Sequence, residues 1–145
     1  MAVALATQAD TEAKKVKVFF ELGRLNQTQN DIRLPGDTGT PFSFKDFSGS
    51  GPFTAGRVTV IYNQTPSRGF RIVIAPLSFS GSKTLTTPID FSGTNFGTGV
   101  STKGSYQFNN YRASYWTKVK TKGPGDWRAG VTLFVRDARI TVNGL

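Results

Sequence analysis

The sequence predicts an all-β protein, and three observations carry that prediction. Apolar and polar residues alternate at a period of two in segment after segment, clusters of Gly, Pro, Ser and Asn separate those segments, and no apolar stripe of helical period persists for three turns. The expected architecture is a two-sheet, jelly-roll-like sandwich of about eight short strands, with an open Greek-key barrel as the alternative. At 145 residues the chain can bury one core without a staple. Residues 1–14 read as an N-terminal arm and 15–145 as a single β domain.

The arm is rich in Ala and carries Asp10-Thr11-Glu12. Its candidate contact residues for assembly with a neighbour are Val3, Leu5, Thr7 and Asp10. Its first residues lack the basic flank and apolar core of a secretory signal. From Lys15 the period becomes two, with Val16, Val18, Phe20 and Leu22 on one side of a first strand and Lys17, Phe19 and Glu21 on the other. Leu25 to Gly39 reads as a long polar loop around a short extended piece, and Phe42 and Phe44 mark a second short strand.

Gly56 to Gly81 is the clearest segment. Val58, Val60 and Tyr62, then Phe70, Ile72 and Ile74, alternate with polar neighbours on either side of Gln64-Thr65-Pro66-Ser67-Arg68-Gly69. Proline's fixed φ and glycine's tolerance of a positive one let the chain reverse there. The two apolar sets are expected to face the core, with Arg68 and Arg71 as candidate contacts at the hairpin tip.

Lys83 to Thr87 and Ile89 to Phe91 are read as further short strands, and Gly93 to Gly104, with its four glycines, as an exposed loop. Tyr106 to Thr121 forms the next strand, closed by Gly123-Pro124-Gly125-Asp126. In the last strand Val131, Leu133 and Val135 share a side, but Ala138, Ile140 and Val142 have the opposite parity. A bulge or turn near Arg136 and Asp137 is therefore expected. A tetrapeptide recurs at Phe47-Ser-Gly-Ser, Phe79-Ser-Gly-Ser and Phe91-Ser-Gly-Thr, and reads as a core Phe ending a strand before a Ser-Gly turn.

The chemistry available is restricted. The chain has no Cys and no His, which removes thiolates, disulfides, the usual general base and the commonest metal ligand. The carboxylates show no spacing that pairs an acid with a base, and Ser80-Gly81-Ser82-Lys83-Thr84 lacks the first glycine of a phosphate loop. No enzymatic activity, catalytic residue, metal site or cofactor is expected.

Eighteen Lys and Arg against nine Asp and Glu give a net charge of +9, which draws the protein toward polyanions. The charge concentrates in one segment, where Lys103, Arg112, Lys118, Lys120, Lys122 and Arg128 interleave with aromatic residues. These six are the candidate polyanion contacts, and Tyr111, Tyr115, Trp116 and Trp127 the candidate stacking rings. Lysines on edge strands also discourage unwanted pairing, so the same pattern has a purely structural reading.

The composition favours a non-enzymatic structural protein, a self-assembling or surface-coating virion component such as a capsid, cement, decoration or tail protein. Its expected partners are copies of itself or another shell protein, with nucleic acid second and no membrane. The expected location is the virion, after synthesis in the host cytoplasm, with the cytoplasm itself as the alternative. Two other functions compete: a single-stranded nucleic-acid-binding domain using the basic aromatic segment, and a carbohydrate-binding module using an exposed Trp or Tyr platform.

Overall fold

The computed structural model describes residues 15–119, 125 and 127–145, so the arm residues Val3, Leu5, Thr7 and Asp10, together with Lys120 and Lys122, lie outside the described residues. The protein is all-β. Its strands are β1 (Val16–Leu25), β2 (Asp31–Ile32), β3 (Phe42–Ser43), β4 (Phe53–Thr65), β5 (Arg68–Ala75), β6 (Ser78–Thr84), β7 (Ile89–Phe91), β8 (Thr94–Phe96), β9 (Ser101–Val119) and β10 (Trp127–Gly144). One helical turn, α1 (Lys45–Ser48), interrupts them. The largest sheet follows the open path β1-β4-β5-β9-β10, with β6 also paired to β9, while β2-β3 and β7-β8 form two small sheets.

The predicted hairpin is β4 and β5, antiparallel, with Val58 opposite Ile74, Val60 opposite Ile72 and Tyr62 opposite Phe70. The chain groups into two compact units. Unit 1 comprises residues 1–23, 55–77 and 109–137, and unit 2 residues 24–54, 78–108 and 138–145.

Unit 2 holds the buried core: Ile32, Phe44, Phe47, Leu85, Ile89, Phe91 and Val142, flanked by Phe42, Phe79, Phe96, Tyr106 and Ile140. Its small sheets and α1 pack on the paired strands β6 and β9, a sandwich-like arrangement. Phe44, fully buried, lies at the centre, 5.9 Å from the rings of Phe47 and Phe79 and 5.8 Å from Tyr106. The expected second strand is cut short because the chain turns into α1 immediately after Ser43, which drives Phe44 and Phe47 into the same core.

Three expectations change in unit 2. The polar loop after Leu25 contains a buried glutamine, Gln27, whose amide donates to Ser48 Oγ at 2.8 Å and to the Gly49 carbonyl at 2.5 Å. The segment from Gly93 to Gly104 is not a continuous exposed loop, because β7 captures Thr94–Phe96 and β6 captures the start of β9. Thr102 is consequently fully buried. The expected strand from Lys83 begins earlier, at Ser78, and the Leu85 that follows it is core.

Two of the recurring Phe-Ser-Gly segments end at a turn, with Gly49 and Gly93 at φ of 76° and 80°. The third does not. Gly81 lies inside β6, where a Cβ would stand 1.9 Å from the Phe47 carbonyl oxygen and 2.6 Å from Ser48 Cα. Glycine is required there for close backbone approach.

No turn interrupts β10 at Arg136 or Asp137, and the strand is assigned unbroken from Trp127 to Gly144. The change of apolar parity has another cause. Unit 1 ends at Asp137 and unit 2 resumes at Ala138, and each takes its apolar residues from its own parity of the strand.

Candidate functional site

The side chains that matter most belong to unit 1, whose sheet presents two chemically opposite faces. Register fixes the first across three strands: Tyr62, Phe70 and Tyr115 form one row, Val60, Ile72 and Ala113 the next, and Val58, Ile74 and Tyr111 the third. The rings are neighbours along the first row: Tyr62 and Phe70 stack with centroids 6.4 Å apart, and Phe70 and Tyr115 meet at a tilt, 5.2 Å apart.

Pairs on the other side of the sheet assign the outer strands. Glu21 pairs with Arg57, so Val16, Val18, Phe20 and Leu22 fall on the apolar side. Ser114 shares a hydrogen bond with Thr132 at 2.8 Å, so Val131, Leu133 and Val135 fall there as well. By this alternation the interior of the face carries no ionisable group other than tyrosine.

Among the described residues no element covers that face. Phe20 is 59% exposed and Leu133 75%, and the hairpin residues Phe70, Ile72 and Ile74 are exposed too. The expectation that Val58, Val60, Tyr62, Phe70, Ile72 and Ile74 belong to the buried core is corrected: they line a sheet face that no other described element covers, and the buried core of the described residues lies in unit 2.

The second face is cationic. Arg112 and Arg136 lie 5.2 and 5.1 Å from the Phe134 ring centre, and Arg128 lies 4.2 Å from that of Trp116. Arg71 has the parity of this face, as do Lys17 and Arg57. Arg57 donates to both Glu21 oxygens, at 2.6 and 2.5 Å.

The hydrogen bonds from Arg57 hold the Glu21 carboxyl below its ordinary value, and Glu21 raises Arg57 in turn. A depressed acid stabilises the fold above its unfolded pKa, and that contribution disappears as pH falls through the folded value. Arg57→Ala is expected to return Glu21 upward toward 4.5, the ordinary value, in an NMR titration of the side-chain carboxyl. An unchanged Glu21 titration would show that the pair does not set the charge of this face.

The predicted site residues are divided by this geometry. Arg112, Trp116 and Arg128 come together on the cationic face, and Lys118 shares their parity. Tyr111 and Tyr115 lie on the apolar face instead. Lys103 belongs to unit 2, on the exposed side of β9. Arg68 and Arg71, both exposed, have opposite parity and share no face. Trp127 is 68% exposed and is the more open indole, since Arg128 covers the Trp116 ring.

Sequence reading missed Phe134, Arg136, Lys17 and Arg57 as members of the cationic face. Their signal is parity: each has the side-chain direction of Arg112 once the register of its strand is known. Unit 2 contributes a cavity of about 340 Å³ lined by Ser78, Ser80, Ser105, Gln107, Arg139 and Thr141, with Phe79 and Tyr106 at its wall. No carboxylate lines it. Among the described residues no group of three or more potential metal ligands gathers. Comparison with protein-family models, with curated proteins and with solved structures finds no match to this chain.

Proposed function

We propose that the chain is a non-enzymatic structural protein that assembles with copies of itself through the apolar face of unit 1, as a shell or surface-coating component. The uncovered face is the observation that carries this reading. Phe20, Leu22, Val131, Leu133 and Val135 are each more than half exposed on it, and contiguous exposed apolar surface of this kind marks an interaction site.

A second copy is the occupant that fits. An apolar sheet face is covered most directly by another sheet about 10 Å away, as in a sandwich. The chain supplies little else for the purpose, since residues 1–14 contain Met1, Val3 and Leu5 as their only large apolar side chains. A face whose interior carries no formal charge is also self-complementary, as a two-fold interface requires. Two copies carrying +9 each would otherwise repel.

A virion is the setting the composition favours, with copies of the chain or another shell protein as partners. Light scattering on the eluting protein tests the assembly. The expected result is a dimer or larger closed species that persists or tightens as salt rises, because salt screens the repulsion and leaves apolar contact intact. A monomer at all salt concentrations and at tens of micromolar protein would end this reading.

A further inference from the structure

We infer that the cationic face of unit 1 is a contact surface for single-stranded nucleic acid. The inference is independent of the assembly reading, because it rests on the opposite face of the sheet and different side chains.

Charge supplies the first reason. Lys17, Arg57, Arg71, Arg112, Arg128 and Arg136 share one side of the sheet by strand parity. Of the acidic residues on these strands, Glu21 lies there and is engaged by Arg57, while Asp137 has the other parity. Cations gathered in this way repel one another and are drawn together by a polyanion whose charges repeat.

Chemical type supplies the second. Five of the six are arginines, whose planar fork meets phosphate oxygens two at a time. Three of these guanidiniums are seated over aromatic rings, Arg128 on Trp116 and both Arg112 and Arg136 on Phe134. A seated guanidinium has lost much of its freedom before any ligand arrives, and its outer plane is a surface on which an unpaired base stacks. Bases inside a duplex do not present that surface, which selects the single strand. Anionic lipid would need only diffuse charge and an apolar flank to insert, neither of which explains arginines seated on rings.

The test is fluorescence anisotropy with the full chain and a labelled single-stranded oligonucleotide of about 20 residues, from about 50 to 200 mM salt. Binding is expected, with an affinity that falls steeply and linearly on a logarithmic salt axis. Arg112→Ala with Arg128→Ala should weaken it at least about tenfold at the low end and flatten the slope by about 1.4, or 0.7 for each phosphate no longer neutralised. Arg112→Lys with Arg128→Lys keeps the charge, so the slope should remain while affinity drops. That pair also guards against a folding defect in the alanine variant, as does circular dichroism.

Arg24→Ala with Lys45→Ala removes the same charge from unit 2 and is expected to change little. An equal loss in that control would reduce the effect to net charge and overturn the proposal. So would absence of binding at low salt, or competition by the matched duplex, polyglutamate or phosphatidylserine vesicles as effective as that of the unlabelled single strand. Assembly tightens with salt and this binding weakens with it, so the failure of one is distinguishable from the failure of the other.

Discussion

Leu133→Glu combined with Ile72→Glu is expected to split the assembly into monomers while leaving each monomer folded. Leu133 is 75% exposed in the isolated chain, and Ile72 sits on the central strand between Val60 and Ala113. In the monomer both glutamates point into water, where the cost is limited to strand preference, at most about 1 kcal/mol each. Between two apposed sheets they would be carboxylates without partners, and an uncompensated buried charge costs about 3–5 kcal/mol. With a factor of ten for every 1.4 kcal/mol or so, the dissociation constant should rise at least about a hundredfold.

Light scattering reads the mass, and circular dichroism reads the fold. A variant that assembles like the parent would show that this face is not the seam. Lys17→Glu serves as the contrasting change, since it lies on the opposite side of β1 and should leave assembly intact.

Phe44→Ala is expected to be the most damaging single substitution in unit 2. Phe44 has no solvent exposure and packs against the rings of Phe47, Phe79 and Tyr106. It also begins α1, so its ring is held by a backbone that cannot slide to fill the space: its amide donates to the Asn30 carbonyl at 2.8 Å, and its own carbonyl accepts from Phe47 and Ser48. Where collapse is that restricted, truncation of a buried Phe costs about 3–5 kcal/mol, a large share of the stability of a small protein. Chemical denaturation should show a lowered midpoint. A loss below about 1 kcal/mol would mean that the aromatic cluster is not the centre of this core.

Much of this molecule is legible in the sequence. The β4–β5 hairpin, its turn and its alternating sets follow from a period of two on either side of Pro66-Ser67, and the structure keeps that register. Alternation states which side a residue takes, however, and not what covers that side. Val58, Ile72 and Leu133 have the pattern of core residues, yet they line an open face, because no other described element lies over them.

The same limit applies to the candidate site. The interleaving of Lys103 to Arg128 locates Arg112, Trp116 and Arg128 but spreads them among residues of the other face and the other unit. Phe134 and Arg136 join only once the pairing of β9 with β10 is known, since their proximity to Arg112 is across strands rather than along one. The buried Thr102 is hidden for a different reason: the surrounding Gly97, Gly99 and Gly104 carry weak strand preference, and pairing with β6 overrides it.

Gly81 carries a consequence for how the sequence can drift. The first two copies of Phe-Ser-Gly-Ser meet there, and what a methyl group at Gly81 would strike is the main chain of Phe47 and Ser48. Main-chain atoms are the same whatever residues occupy those positions. A second-site suppressor by side-chain replacement therefore does not exist for a substitution at Gly81, whereas a crowded side chain elsewhere in the core can be relieved by shrinking its neighbour. Variation reaches this position only by moving α1 away from β6, which would carry Phe44 and Phe47 out of the core with it.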